Sequence, residues 1–297
     1  MQLHEIIGNS QAALEAANLS YGHGTNNARD EAIWLVLWSL ELPLDTDIDE
    51  PECANRSITP SAQTAIETLI AQRISTRKPA AYLTRQAWLQ GVPFYVDERA
   101  IVPRSLIAEA LAYGHIDDWL PQPTRRVLDL CTGNASLAVL SAMAYPDAAI
   151  DAADLSQPAL EVAAINVAQH DMGQRIRLLT SDGLANVHGP YDLVLCNPPY
   201  VNQASMEALP AEYLAEPALA LAGGTDGMDF IRPLMAQLPD VLSAHGVLVL
   251  EIGNERDYFE RAFPDLNPIW LPTSAGDDHV LLLTKDMLAT SEPTTNT

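Results

Sequence analysis

From Arg126 onward the chain alternates between short apolar runs of strand length and longer runs with helical periodicity. Residues 126–130 (RVLDL), 148–155 (AAIDAADL), 176–182 (IRLLTSD) and 191–196 (YDLVLC) read as strands, as do 246–253, 267–272 and 279–285. Residues 135–145, 157–171, 229–242 and 255–263 read as the helices between them. A chain can return to start a parallel strand only through a crossover, so this alternation requires a mostly parallel sheet covered on both faces. Two consecutive strands close the series without a long helix between them, which predicts one antiparallel strand in the edge region. The expected fold class is α/β, a Rossmann-like doubly wound sheet.

Residues before Pro79 read instead as helices. In 59–79, Thr59 is a candidate N-cap and Pro60 sits at the first helical position. Ile66, Leu69, Ile70 and Ile74 share one face of that helix. The apolar run AIWLVLWSLEL is too short to span a bilayer and is interrupted by Glu41, so a buried helix is expected and no membrane association. Asp45, Asp47 and Asp49 imitate a calcium loop, but Glu50 stands where glycine is required and Arg56 where the closing glutamate belongs. That stretch is a solvated linker. Residues 87–98 read as a hairpin and 105–120 as a helix. The expected organisation is an N-terminal helical domain (1–85), a hairpin and helix connector (86–124), an α/β domain (125–288) and a disordered tail (289–297).

The formal net charge is −23, and Lys78 and Lys285 are the only lysines. A field of that sign repels phosphate backbones, so no broad nucleic-acid surface is expected, while a basic protein would be attracted. Three cysteines without a CxxC pair fit a reducing compartment, and the N-terminus lacks the pattern of a secretory leader. A cytoplasmic location is the expectation.

Ligands of doubly wound sheets collect at the carboxyl ends of the strands. The first strand ends in DLCTGNAS, with Asp129, then a turn containing Gly133, then a helix N-terminus. The second ends in Asp154, at the spacing from the turn where an acid meets a ribose diol. The third ends in Asp182, which could accept from an exocyclic amine, and the fourth in Asn197-Pro198-Pro199-Tyr200. Singly, each is more often structural: a turn, an N-cap, a proline-rich strand exit. Four consecutive strand ends of this kind point to a site. No HExxH, GxSxG or CxxC occurs, and the histidines lack ligand spacing, so neither a metal centre nor a hydrolytic triad is expected. Cys131 and Cys196 have no basic neighbour in sequence to activate them and read as small buried residues.

These motifs resemble the class I S-adenosylmethionine-dependent methyltransferases, with residues 129–135 as the first cofactor motif and 197–200 as the (N/D)PPY motif. Residues 77–111 and 209–234 narrow the resemblance to the protein-(glutamine-N5) methyltransferases. "VDERAIVPRS" and "DLCTG" are similar to the branch acting on the third large-subunit ribosomal protein rather than on release factors. The likeness covers nearly the full chain. It implies S-adenosylmethionine as cofactor, with Asp154 at the ribose, Asp182 at the adenine and the backbone near Gly133 at the methionine end. Asp129, Cys131, Thr132, Leu155, Gly183 and Asn197 complete the implied cofactor site. It implies Asn197, Pro198 and Tyr200 as catalytic residues, and these with Pro199 and Arg104 as substrate contacts. Arg104 could equally cap a carboxylate. The role of Glu251, at the end of the fifth strand, is open. The implied partner is a basic ribosomal protein, met free or during ribosome assembly, and the helical N-terminal region is expected to recognise it.

An amide nitrogen is a poor nucleophile, because its lone pair is delocalised into the carbonyl. Acceptors on both N–H bonds keep electron density on nitrogen and fix the group. In the resembled family the Asn197 side-chain oxygen and the Pro198 carbonyl do this while Tyr200 stacks on the amide; the prolines keep that carbonyl unpaired. Alternative readings are the same chemistry on the GGQ glutamine of release factors, adenine-amino methylation of nucleic acid, which the charge disfavours, and a non-catalytic binder. The last arises because Ala135 replaces the family glycine: its methyl is harmless at negative φ and costly at positive φ.

Overall fold

The computed structural model describes residues 1–289. Helices α1 (Leu3–Ala16), α2 (Ala28–Ser39), α3 (Pro51–Ala54), α4 (Pro60–Thr76) and α5 (Ala80–Thr84) form the N-terminal part. A hairpin of β1 (Ala87–Leu89) and β2 (Val92–Phe94) follows, then α6 (Ile107–Ala112). The α/β part runs β3 (Arg126–Leu130), α7 (Ser136–Ala144), β4 (Ala149–Asp154), α8 (Gln157–Gln169), β5 (Ile176–Thr180) and β6 (Tyr191–Cys196). It continues with α9 (Gln203–Glu207), α10 (Ile231–Val241), β7 (Leu242–Glu251), α11 (Arg256–Ala262), β8 (Ile269–Trp270), β9 (Val280–Thr284) and α12 (Lys285–Ala289).

Seven strands form one sheet in the order β5-β4-β3-β6-β7-β9-β8. Strands β3 to β7 are parallel, and β9 runs antiparallel to both of its neighbours, one place in from the edge. Side chains alternate along each strand between two apolar layers. Val127, Leu193, Leu195, Val247 and Val249 face the layer holding α7 and α8. Leu128, Val194, Leu248 and Leu250 face the layer with α10 and α11. Burial on both faces is why these strands read as unbroken apolar runs.

The N-terminal helices share a third cluster, with Leu3, Leu14, Leu35 and Ile66, which extends to Val96 and Val102 beyond the hairpin. Thr59 caps α4, accepting from the Ala62 N–H at 3.2 Å. Gln90 (φ 50°) and Gly91 (φ 75°) supply the left-handed pair that a two-residue hairpin turn needs.

Three expectations change. The helix expected over 105–120 stops at Ala112, because Gly114 turns the chain at φ 68° and only a short 3₁₀ turn follows at Asp117–Trp119. The strand at 267–272 keeps two paired residues between Pro268 and Pro272. Ala289, assigned to the tail, ends α12, and the rest of the tail lies outside the described residues.

Arg73 on α4 is 1 % exposed and donates through Nε to Glu31 of α2 at 2.8 Å; its Nη1 lies 3.6 Å from Glu212 of the α/β part. Removing one partner of a buried ion pair strands the other charge, at a cost of about 3–5 kcal/mol. Arg73→Met is therefore expected to lower the urea midpoint sharply. Adding Glu31→Gln should restore part of the loss, and a mild, additive effect of the two changes would contradict the pairing.

Candidate active site

Strand order reverses between β3 and β6, so their connections diverge and leave a crevice at their carboxyl ends. Leu130 is paired with Cys196, and this register sets the turn after β3 directly beside Asn197. Two cavities open there.

The first cavity lies over the turn and is walled by Cys131, Thr132, Gly133, Asp154, Leu155 and, from β6, Asn197. Asp182 and Gly183 line its far end, with Phe230 3.9 Å from where a Cβ on Gly183 would stand. The Asp154 carboxylate accepts from the Gly133 N–H and the Ser156 N–H, both at 2.8 Å, one on each oxygen. Burial raises its pKa, and each oxygen keeps a further lone pair for a ligand hydroxyl. Gly133 has φ 56° and nothing within 4 Å of a built Cβ, so it opens onto the cavity. Asn166 of α8 holds the turn from below, donating to the Asn134 carbonyl at 2.8 Å and to the Tyr95 carbonyl at 2.9 Å.

Asp129 is not on this wall. It lies beneath the turn, where one oxygen accepts from Thr132 Oγ1 at 2.5 Å and from the Ala138 N–H at 2.9 Å, while Oδ1 is buried with no partner among the described residues. Ala135, fully buried at the N-cap of α7, adopts φ 64°. Left-handed backbone costs about 1–2 kcal/mol for a residue with a Cβ. Burying the methyl group in the α7 layer returns about 0.8 kcal/mol. The turn thus keeps its left-handed geometry despite the alanine.

The second cavity lies on the other side of the Asn-Pro-Pro-Tyr exit. Asn197, Pro198 and Tyr200 line it together with Ser20, Tyr21 and Gly22 of the N-terminal part, and Glu251 and Glu255 reach it from the end of β7. Asn197 and Arg104 border both cavities. Among the described residues nothing donates to the Asn197 side chain or to the Pro198 carbonyl, so two acceptors stand free at the junction.

The exit is braced by a segment that the sequence did not single out for this task. Val201 donates to Leu221 and Gly223 donates back to Val201, each at 2.9 Å. A Cβ on Gly227 would stand 2.3 Å from the Tyr200 carbonyl, and one on Gly253 2.5 Å from the Tyr200 ring, so both positions require glycine. Glu212 and Glu216 then fasten the segment to the front of the molecule. Arg77 donates to Glu212 at 3.0 Å, and Arg104 forms a fork on Glu216 at 2.6 and 2.7 Å. His23 approaches Glu216 at 3.4 Å. Burial works against the Glu216 anion, but the nearby His23 and the Arg104 fork outweigh it and hold its pKa at about 2. Of the two roles open for Arg104, capping a carboxylate is the one its contacts fill.

Hydrogen bonding with Cys196 and burial both push the Cys131 thiol well up, which leaves it neutral and unactivated. Burial likewise raises Asp129, to about 7, against the pull of Thr132 and Ala138. Its folded pKa lies above the unfolded one, so the protonated acid favours the fold below about pH 4 and that contribution is lost as pH rises through 7. Asp129→Asn is expected to remove this part of the pH dependence, flattening the decline of the urea midpoint between pH 4 and 7. An unchanged slope would contradict a raised Asp129 pKa.

The family profile described as Methyltransferase small domain matches residues 115–225. The ribosomal protein uL3 glutamine methyltransferase of Bordetella pertussis is 51 % identical over 291 residues, 97 % of this chain and 96 % of that protein. The proteins of the same name from Burkholderia pseudomallei and Neisseria meningitidis serogroup A are 46 % and 44 % identical; they cover 95 % and 98 % of this chain and 94 % and 95 % of their own lengths. Among solved structures, the hMettl16 catalytic domain in complex with the MAT2A 3'UTR hairpin 6 aligns with a TM-score of 0.50 at 15 % identity. That alignment covers 76 % of this chain and 81 % of that one, a likeness of fold alone. The curated relatives match nearly the whole chain at 44–51 % identity: the chain belongs to the family of ribosomal protein uL3 glutamine methyltransferases.

Proposed function

We propose that this methyltransferase moves the methyl group of S-adenosylmethionine to the side-chain amide nitrogen of a glutamine in the third large-subunit ribosomal protein. The observation that carries the reading is the position of Asn197 on the border of both cavities with Pro198 beside it on the second, their acceptors unused by any group among the described residues.

The residues of the first cavity fit the cofactor. Asp154 offers a lone pair on each oxygen to a ribose diol, the free Asp182 carboxylate suits an exocyclic amine, and the opening at Gly133 admits the methionine end. Cys131, Thr132, Leu155 and Gly183 complete that wall, and Asp129 acts from beneath by holding the turn. When bound, S-adenosylmethionine supplies a methyl group made electrophilic by its positively charged sulfur.

On the other side, Asn197 Oδ1 and the Pro198 carbonyl would accept from the two N–H bonds of the glutamine amide. That fixes the plane of the group and keeps its lone pair aimed at the first cavity; Tyr200 supports the flat amide, and Pro199 keeps the carbonyl turned outward. Positioning of this kind accounts for most of the rate gain where no strong base is needed. Residues 1–85 act as the recognition domain, since Ser20, Tyr21 and Gly22 line the second cavity. The net charge of −23 favours a basic partner, and the reaction belongs in the cytoplasm, where ribosomal proteins are made.

The test is incubation of the full chain with methyl-labelled cofactor and, separately, under-methylated ribosomal protein and under-methylated release factor. Label on a glutamine of the ribosomal protein alone is expected; label on the release factor alone would overturn the substrate assignment. Asn197→Ala should lower kcat at least about 100-fold while changing cofactor affinity less than about threefold. Turnover near wild type would remove the amide-clamp role.

A further inference from the structure

Glu251 ends β7 in a position none of the chemistry above explains. It is 4 % exposed, and no cation among the described residues pairs with it; Arg104, which lines the same cavity, is spent on Glu216. Three donors converge on it instead. Tyr200 Oη donates to Oε1 at 3.2 Å, while Ser105 Oγ and the Leu106 N–H donate to Oε2 at 2.6 and 2.9 Å. Burial raises the pKa of Glu251, and burial together with the Glu251 charge raises that of Tyr200 well above the usual range, so the tyrosine stays a neutral donor. Gly253 closes the other side of the ring, leaving no space for a side chain.

We propose that Glu251 is a positioning residue for methyl transfer, one that fixes the Tyr200 ring on the substrate cavity and ties it to the Ser105–Leu106 wall. The proposal rests on the amide-methylation reading and deepens it. In that reaction the carbon–sulfur bond breaks with its electron pair going to sulfur, the nitrogen lone pair forms the carbon–nitrogen bond, and the nitrogen then releases a proton to water. Positive charge therefore passes to the amide nitrogen beside Tyr200. A buried carboxylate behind that ring makes the tyrosine electron-rich where the charge develops and costs no reorganisation when it does. Glu251→Gln keeps the volume but reverses the contact: the amide oxygen serves Ser105 and Leu106, and its NH2 faces the Tyr200 oxygen.

The experiment uses the full chain as wild type, Glu251→Gln, Tyr200→Phe and the double variant, with S-adenosylmethionine affinity measured by calorimetry and kcat and KM by methylation of the ribosomal protein. Glu251→Gln is expected to lower kcat at least about tenfold with cofactor affinity and KM within about threefold, and Tyr200→Phe should cost little more in that background. Wild-type kcat in Glu251→Gln, losses that multiply in the double variant, or a loss shared equally by cofactor binding would each overturn the proposal. Should Glu251→Gln fail to fold, Ser105→Ala removes one of the three donors and is expected to lower kcat without raising KM; an unchanged kcat would count against the network. If the wild-type chain labels no protein glutamine, the proposed function fails while the pair is still tested by urea unfolding. Non-additive midpoints for Tyr200→Phe and Glu251→Gln support it, and additive ones overturn it.

Discussion

The pairing of Leu130 with Cys196, two neighbouring strands in parallel register, is the contact on which the site depends. It brings a small-residue turn and a proline-stiffened strand exit to the same level, on the two sides of a divergence in strand order. Shifting that register by one residue would invert every side chain of β6 and bury Asn197 in an apolar layer. The close packing of β3, β6 and β7 against helices on both faces opposes the slip, because each side chain is fitted to the layer it faces. Core packing thus fixes the distance between two chemical groups that never touch.

Stiffness at the Asn-Pro-Pro-Tyr exit comes from more than its prolines. Gly227 and Gly253 press against the Tyr200 backbone and ring, the Leu221–Gly223 stretch pairs with Val201, and Glu251 holds the tyrosine hydroxyl. Glu212 and Glu216 carry the bracing to Arg73, Arg77, His23 and Arg104. These carboxylates are nearly inaccessible, so each depends on its cation, and the N-terminal helices thereby share in holding the second cavity. The N-terminal helices and the strand exit are mechanically joined in this chain.

The sheet was legible in the sequence because both its faces are buried and its helices are long enough to show periodicity. The ends of three strands were legible because Asp154, Asp182 and the Asn-Pro-Pro-Tyr exit stand where apolar runs stop, and those residues do line the crevice. Asp129 was assigned to the cofactor wall by resemblance, whereas its place beneath the turn follows from the direction in which β3 ends. The residues left unassigned come from irregular chain. Glu212, Glu216 and Phe230 belong to a stretch with little regular structure, and Glu216 reaches partners 112 and 114 positions away. No period announces such contacts. The glycines at 223, 224 and 227 were the available signal, since close backbone approach is what glycine allows.

The central claim is that one Asn and one proline carbonyl hold a glutamine amide at the boundary of two cavities. The most direct measurement is a crystal structure of the full chain with the demethylated cofactor product and the under-methylated ribosomal protein. The glutamine side chain is expected in the second cavity, its NH2 about 2.9 Å from Asn197 Oδ1 and from the Pro198 oxygen. A glutamine bound elsewhere, or an amide turned so that its carbonyl faces Asn197, would contradict that claim.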